Sequence, residues 1–170
     1  VAAGKLFDEE DCYQKFENAL TDDIDVVICN HVSNVFGFIQ PLERIARLCN
    51  ARKVPLIVDA SQSAGTLPIS LKDLGAAFIA MPGHKGLYGP QGCGMILFGS
   101  DRYVTESTWI EGGSGIHSLE SAMPRELPEH FEAGTLPTPS IAGLAAGIRW
   151  VERVGIGEIH RHECFLFRKL

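Results

Sequence analysis

Two short apolar runs joined by one amphipathic helix constrain the fold more than any other feature of the chain. The runs are IDVVICN at 24–30 and VPLIVD at 54–59, and neither alternates with polar residues. Continuous apolar strands are typical of a parallel sheet that is covered on both faces. The segment between them, PLERIARLCNARK, starts with Pro41 in a first-turn position, and its apolar residues recur on one helical face. This order predicts parallel strands with a right-handed crossover.

The remaining periodicity extends this unit into an α/β fold with a mostly parallel sheet and flanking helices. DEEDCYQKFENAL at 8–20 predicts an amphipathic helix with acidic residues in its first turn. AAFIAM at 76–81 predicts a third buried strand, and GCGMILFG at 92–99 predicts a fourth. Because the turn before the fourth strand is too short for a crossover helix, we expect that strand to return antiparallel at a sheet edge.

The last third of the chain changes character. Residues 99–137 are rich in Gly, Ser and Pro and predict a long irregular segment, whose length suggests a functional or interface role. TPSIAGLAAGIRWVERVG predicts a helix from about Thr138, and a last helical stretch follows to Leu170. HRHEC holds alternating metal-ligating side chains, but positions i and i+2 of a helix point in different directions. We therefore predict no metal site.

Charge and cysteine content limit the classes of function. The net charge of −6 gives no support to a nucleic-acid or anionic-membrane partner. No apolar run approaches the length that spans a bilayer. Five cysteines without paired spacing favour neither a disulfide framework nor a zinc site, so we expect a reducing, cytoplasmic location. Since Val1 is not a natural start, we also expect a piece of a longer chain.

Four polar stretches lie where a parallel sheet binds ligands, beyond the carboxyl ends of its strands. NHVSN follows the first strand, DASQ ends the second, PGHK ends the third, and EAGT precedes the late helix. His31 in NHVSN can lie near a ligand, and packing at a strand end explains it equally well. The convergence of several such stretches on one edge is a stronger signal than any one of them.

Asp59 and Lys85 are the most informative pair at this edge. We expect Asp59 to be buried, and a buried carboxylate needs a partner. It either caps the next turn or holds a cation such as a protonated ring nitrogen. Few other carboxylates are near, which disfavours a metal. Lys85 is either a solvated surface charge or a partly desolvated amine that attacks carbonyls. Together they match the needs of pyridoxal phosphate, which binds a lysine covalently and requires an acid at its ring nitrogen.

The stretches HVSNVFGFIQPLERIARLCNARKVPLIVDASQSAG, GHKGLYGPQGCG and FEAGT resemble, in this order, motifs of the class V aminotransferase family of fold-type I pyridoxal phosphate (PLP) enzymes. Within this family the chain resembles the cysteine desulfurase and selenocysteine lyase-like branch, from roughly Asp25 to Glu152. It implies a homodimer that acts on cysteine or selenocysteine and passes sulfur to an acceptor protein. It also implies that residues 1–155 are the central part of the cofactor-binding large domain. Residues 156–170 would begin the connection to a small C-terminal domain.

The resemblance also implies roles for individual residues. Lys85 resembles the lysine that binds the cofactor covalently, and Asp59 resembles the partner of the pyridine nitrogen. Gln62 and Asn34 resemble the residues that hydrogen-bond the phenolic oxygen. His84 resembles the histidine on the phosphate side.

Two positions near the expected phosphate need separate comment. Thr135 in FEAGT resembles the threonine that reaches the phosphate of the neighbouring subunit, and its place just ahead of a predicted helix favours an anion. The family often has a serine two residues before the His-Lys pair, where this chain has Pro82. Proline offers neither a hydroxyl nor an N–H, which predicts reliance on other donors and a distinct subfamily.

The resulting hypothesis is a cysteine desulfurase-like enzyme that converts cysteine to alanine and leaves a persulfide on an enzyme cysteine. The nucleophilic cysteine and the arginine for the substrate carboxylate have no counterpart in this segment, so we expect the segment alone to be inactive. Two alternatives remain open at this stage. One is another class V enzyme, such as an aminotransferase, an epimerase or a kynureninase-like lyase, and the other is a non-catalytic truncated product.

Overall fold

A single four-stranded sheet organises the chain. The computed structural model describes residues 5–100, 103, 107–117 and 119–170. The strands lie in the order β1-β2-β3-β4, with β1 to β3 parallel and β4 antiparallel to β3. Their bounds are Val27–Asn30 (β1), Leu56–Asp59 (β2), Phe78–Pro82 (β3) and Gly94–Phe98 (β4). The mostly parallel sheet and the antiparallel fourth strand confirm the predicted fold class.

Five α-helices flank this sheet among the described residues. Their bounds are Glu9–Ala19 (α1), Leu42–Arg52 (α2), Leu71–Leu74 (α3), Thr138–Val154 (α4) and Ile156–Phe167 (α5), with a 3-10 turn at Glu129–Phe131. The side chain of Asp8 accepts a hydrogen bond from the Asp11 N–H at 3.0 Å and so caps the start of α1. None of these helices is long and apolar enough to cross a membrane.

The local predictions were wrong in three details. Pro41 is the N-cap of α2 and not a first-turn residue, because its ψ of 61° is not helical. The first three strands each begin two or three residues later than their apolar runs, since these runs include the approach to the sheet. Sequence periodicity also missed α3, a single turn that Ser70 begins by accepting a hydrogen bond from the Asp73 N–H at 3.2 Å.

The hydrophobic core lies on one face of the sheet. Cys29, Val58 and Ile79 are neighbours in the strand register and are at most 3% exposed. They form one cluster with Ile45 and Cys49, which belong to the apolar stripe of α2. Each such aliphatic side chain contributes roughly 1.5–3 kcal/mol through its removal from water. This side of the sheet is therefore the stable foundation of the fold.

The opposite face of the sheet is open at both edges, which contradicts the expectation that β1 is buried on both faces. Ile28 of β1 is 69% exposed, and Ile96 of β4 is 57% exposed. Successive side chains of a strand point to opposite faces, so Ile28 points away from the cluster that buries Cys29. No described helix covers Ile28. The continuous apolar run therefore predicted more burial for this residue than the structure shows.

His31 is the buried polar residue that joins this core to the strand ends. Its side chain is 7% exposed, and no described residue hydrogen-bonds its Nδ1 atom. Burial lowers the pKa of the imidazole, while the nearby Glu43 carboxylate acts in the opposite direction. The ring lies against a cleft of about 560 Å³ between α2, α3 and the start of α5. The buried ring therefore packs at the end of β1, on the side of the sheet that carries α2 and α3.

We predict that acid destabilises the chain partly through His31. Because its folded-state pKa lies below the usual 6.5, the unfolded chain takes up the proton first as the pH falls through that value, and folding stability is lost. Urea unfolding between about pH 8 and about pH 5 should therefore show a smaller loss of stability for His31→Gln than for the wild type. The control is His162→Gln, at an exposed histidine, which should keep the wild-type pH dependence. Equal losses in all three proteins would contradict the prediction.

Candidate functional site

The carboxyl ends of the three parallel strands meet at one edge of the sheet. Asn30 of β1 pairs with Asp59 of β2, and Asp59 pairs with Ala80 of β3. The His31 N–H donates to the Asp59 carbonyl at 2.9 Å, and the Ala60 N–H donates to the Ala80 carbonyl at the same distance. The loops NHVSN, DASQ and PGHK therefore leave the sheet side by side, as the sequence predicts.

A direct side-chain hydrogen bond joins the first two loops. Gln62 Nε2 donates to Asn34 Oδ1 at 2.7 Å, although the two residues are 28 apart in sequence. In this orientation the Asn34 amide nitrogen and the second N–H of Gln62 can both donate elsewhere. The pair thus presents hydrogen-bond donors at the sheet edge, and donors of this kind suit an anionic oxygen.

Asp59 keeps one carboxylate oxygen for a ligand. Its Oδ1 atom accepts a hydrogen bond from the Ser61 N–H at 2.8 Å, which confirms the turn-capping role. No described residue hydrogen-bonds its second oxygen. The expectation that Asp59 is buried was wrong: its side chain is exposed, because β2 ends at an edge of the sheet that no described element covers. One carboxylate can therefore both fix its own turn and face a cation.

Lys85 lies in a tight turn that follows β3. The Tyr88 N–H donates to the Lys85 carbonyl at 2.9 Å, and the Gly89 N–H donates to the Gly83 carbonyl at 2.8 Å. The side chains of His84 and Lys85 are exposed, so the expected partial desolvation of the lysine was wrong for this structure. Lys85 makes no ion pair with a described residue. Its amine is therefore accessible to an electrophile.

Pro82 and the β3-β4 hairpin set the geometry of this turn. Pro82 is the last residue of β3 and pairs with Gly94, and the Gly83 N–H donates to the Cys93 carbonyl at 2.9 Å. Pro82 therefore belongs to the sheet itself. Its side chain offers no hydrogen-bond donor at the start of the lysine turn.

Thr135 is not joined to the other predicted site residues by any hydrogen bond among the described residues. It is exposed and lies three residues ahead of α4. Next to it, Gly134 adopts a φ of +89°, and its N–H donates to the Gly113 carbonyl at 2.8 Å. The structure thus ties FEAGT to the glycine-rich segment at 112–115, while the strand-end residues group separately.

Sequence reasoning missed the packing of α4 against the lysine turn. Leu144 of α4 is 5% exposed and belongs to the core cluster that includes Leu87 of this turn. The Cys93 thiol donates to the Ser140 carbonyl of α4 at 3.3 Å. The apolar stripe of α4 is the signal that indicates packing of this kind, but it does not identify the partner. Among the described residues, no group of three or more His, Cys, Asp or Glu could hold a metal ion.

Known proteins share both the sequence and the fold of this chain. The family model described as Aminotransferase class-V matches residues 7–170. A protein of Pyrococcus abyssi named "Probable cysteine desulfurase" is 35% identical over 146 residues, which are 85% of this chain and 36% of that protein. One of Mycobacterium leprae, "Probable cysteine desulfurase 1", is 37% identical over 88% of this chain and 24% of its own length.

Two solved structures of cysteine desulfurases share the fold of this chain. An apo cysteine desulfurase from Thermococcus onnurineus superposes with a TM-score of 0.76 at 33% identity, covering 95% of this chain and 40% of its own. The cysteine desulfurase CsdA from Escherichia coli gives a TM-score of 0.75 at 27% identity, with 87% and 37% covered. This chain therefore spans well under half of these four relatives, all of which are named as cysteine desulfurases. By sequence and by fold, it belongs to the class V aminotransferase family.

Proposed function

We propose that this chain forms the cofactor-binding segment of a PLP-dependent, cysteine desulfurase-like enzyme. The observation that carries the proposal is the convergence of Asp59, Lys85 and the Asn34–Gln62 pair on one sheet edge. An acid, an amine and a pair of amide donors are the groups that a phosphorylated pyridine aldehyde requires. The donor set therefore fits pyridoxal phosphate.

Each residue would hold a different part of that cofactor. When bound, pyridoxal phosphate supplies an electron sink for cleavage of bonds at the substrate's carbon atoms. The second oxygen of Asp59 would face the ring nitrogen and keep it protonated, while Asn34 and Gln62 would donate to the phenolic oxygen. Lys85 would bind the aldehyde carbon covalently and move protons once the substrate has taken its place. His84 would contact the phosphate side.

The substrate proposal depends on the relatives. The four relatives described above are named cysteine desulfurases, and a solved structure titled "SspA in complex with cysteine" resembles the chain with a TM-score of 0.67 at 28% identity. We infer removal of sulfur from cysteine, or of selenium from selenocysteine, with release of alanine. An aminotransferase, epimerase or kynureninase-like lyase would use the same strand-end residues, but none of these relatives carries such a name.

The thiol that accepts the sulfur is proposed to lie outside this segment. Three of its five cysteines are buried in the core, and burial raises the pKa of each thiol, that of Cys29 to about 12. A thiol that stays protonated is a poor nucleophile. Cys93 donates its thiol proton to backbone carbonyls of Pro90 and Ser140. These four cysteines therefore suit packing better than sulfur transfer.

The proposed enzyme is a cytoplasmic homodimer that delivers sulfur to an acceptor protein. In this proposal residues 1–155 belong to the large domain, and residues 156–170 start the connection to a smaller domain. Thr135 would reach the phosphate held by the partner subunit. A role in trans needs Thr135 to be free of the site on its own chain, and no described hydrogen bond links it to the strand-end residues there.

Covalent trapping tests the role of Lys85. We expect incubation of the chain with pyridoxal phosphate, followed by borohydride reduction and peptide mapping, to place the pyridoxyl label mainly on Lys85. The reason is its accessible amine beside the Asp59 strand end. Lys53 and Lys72 serve as internal references, and Lys85→Arg should remove the main label. A label that favours Lys53 or Lys72 in the wild type would contradict the assignment.

Substitution of Asp59 tests the electron sink. In the full-length protein, Asp59→Asn should still bind the cofactor but lose turnover by roughly a hundredfold or more, because a neutral amide cannot hold the ring nitrogen protonated. Alanine release measures turnover, and the absorbance of bound cofactor measures binding. The matched control, Asp73→Asn at an exposed helical carboxylate, should leave both unchanged. Near wild-type turnover of Asp59→Asn would refute its role.

Subunit complementation tests the role of Thr135. Full-length chains that carry Lys85→Ala and Thr135→Ala should each be impaired, and mixing them should restore part of the activity. In the mixed dimer one of the two sites keeps both Lys85 and the partner's Thr135. Heterodimer formation is verified by mass spectrometry. Absence of recovery in proven heterodimers would argue against a shared site.

A further inference from the structure

The loops that carry Asp59 and Lys85 touch each other through backbone atoms at two glycines. A Cβ atom added to Gly65 would lie 1.9 Å from the Gly86 carbonyl oxygen. A Cβ atom added to Gly86 would lie 2.3 Å from the Ala64 carbonyl oxygen. Since ordinary contacts of a Cβ begin at about 3.4 Å, no side chain fits on either side. Gly65 also has a φ of +85°, which other residues rarely adopt.

The loop after β2 is a rigid support for this contact. The Ala64 N–H donates to the Ala60 carbonyl at 2.9 Å, and the Leu67 N–H donates to the Ser63 carbonyl at 2.8 Å. The Ser63 side chain is fully buried, at 0% exposure. Asp59, at the start of the same loop, is fixed by its place in the sheet. The loop therefore cannot move far from Asp59.

The turn that carries Lys85 is held on its other side by α4. A Cβ atom added to Gly147 would lie 2.2 Å from the Leu87 carbonyl oxygen. Leu87 and Leu144 are buried in the same cluster, so the turn has little freedom to retreat. Its backbone is thus confined between the Gly65 loop and the surface of α4.

We propose that the contact between Gly65 and Gly86 sets the position of Lys85 relative to Asp59. This inference rests on the proposed function and makes both glycines positioning residues, since neither has a side chain that could touch the cofactor. A methyl group on Gly65 would require a relative shift of about 1.5 Å between its loop and the turn at Gly86, and Lys85 is the residue next to Gly86. A misplacement of about 1 Å at a reacting group can cost about a hundredfold in rate.

The test compares Gly65→Ala and Gly86→Ala with two control variants. Gly155→Ala has a similar φ of +89° but open space around its Cβ, so it reproduces the backbone strain of Gly65→Ala without the collision. Gly157→Ala lies in open space with an ordinary φ and is the control for Gly86→Ala. Circular dichroism and urea unfolding establish the stability of each protein.

Two readouts separate positioning from folding. The first is the rate at which Lys85 acquires the borohydride-trapped pyridoxyl label, relative to Lys53 and Lys72. We expect it to fall at least tenfold in Gly65→Ala and Gly86→Ala, while the reference lysines and both controls stay as in the wild type. The second is amide hydrogen exchange at Tyr88 and Gly89, whose hydrogen bonds close the turn. It should accelerate in the same two variants and in neither control.

Three results would overturn the proposal. One is unchanged Lys85 labelling and unchanged amide exchange in the two variants. Another is an equal loss of label at all three lysines. The third is a Gly65→Ala chain that does not fold although Gly155→Ala does, because the contact would then serve folding and not positioning. If the wild type carries no label on Lys85, the proposed function fails, and amide exchange alone decides whether the contact holds the turn.

Discussion

The in-register pairing of three parallel strands is the constraint on which the rest of the structure depends. It aligns Asn30, Asp59 and Ala80 across neighbouring strands, so the residues that follow them leave the sheet at one edge. A shift of one residue in β2 would turn Asp59 toward the opposite face and bring an apolar side chain to the edge. The chemistry of the site is thus a consequence of strand register, and the core on one face of the sheet fixes that register.

Contacts between backbone atoms, together with strand register, fix the position of the lysine turn. Strand pairing places Asp59 and the start of the lysine turn within reach of each other, but it leaves the turn itself free to vary. The close approach at Gly65 and the packing of α4 remove that freedom. The site therefore combines a rigid sheet edge with a turn confined on two sides, while the side chains that would meet a cofactor remain accessible.

The sequence predicted the secondary structure elements better than the burial and the long-range contacts of their residues. Strand direction, the return of β4 and the grouping of three polar loops follow from local periodicity and connection lengths. The exposure of Asp59 and Ile28 does not, because burial depends on whatever packs against a strand from distant parts of a chain. The hydrogen bond between Asn34 and Gln62 was likewise inaccessible: it joins residues 28 apart, and only the sheet brings them together.

The three thiols buried in the core report on local unfolding of the chain. Cys12 lies in α1, Cys29 in β1 and Cys49 in α2, and each is at most 4% exposed. A thiol reagent in solution reaches them only when these elements separate. Their modification therefore proceeds at the pace of that separation, whereas Cys164 on α5 is partly exposed in the folded chain. The extent to which each cysteine is modified, measured by mass spectrometry, therefore reports how often the helices separate from the sheet.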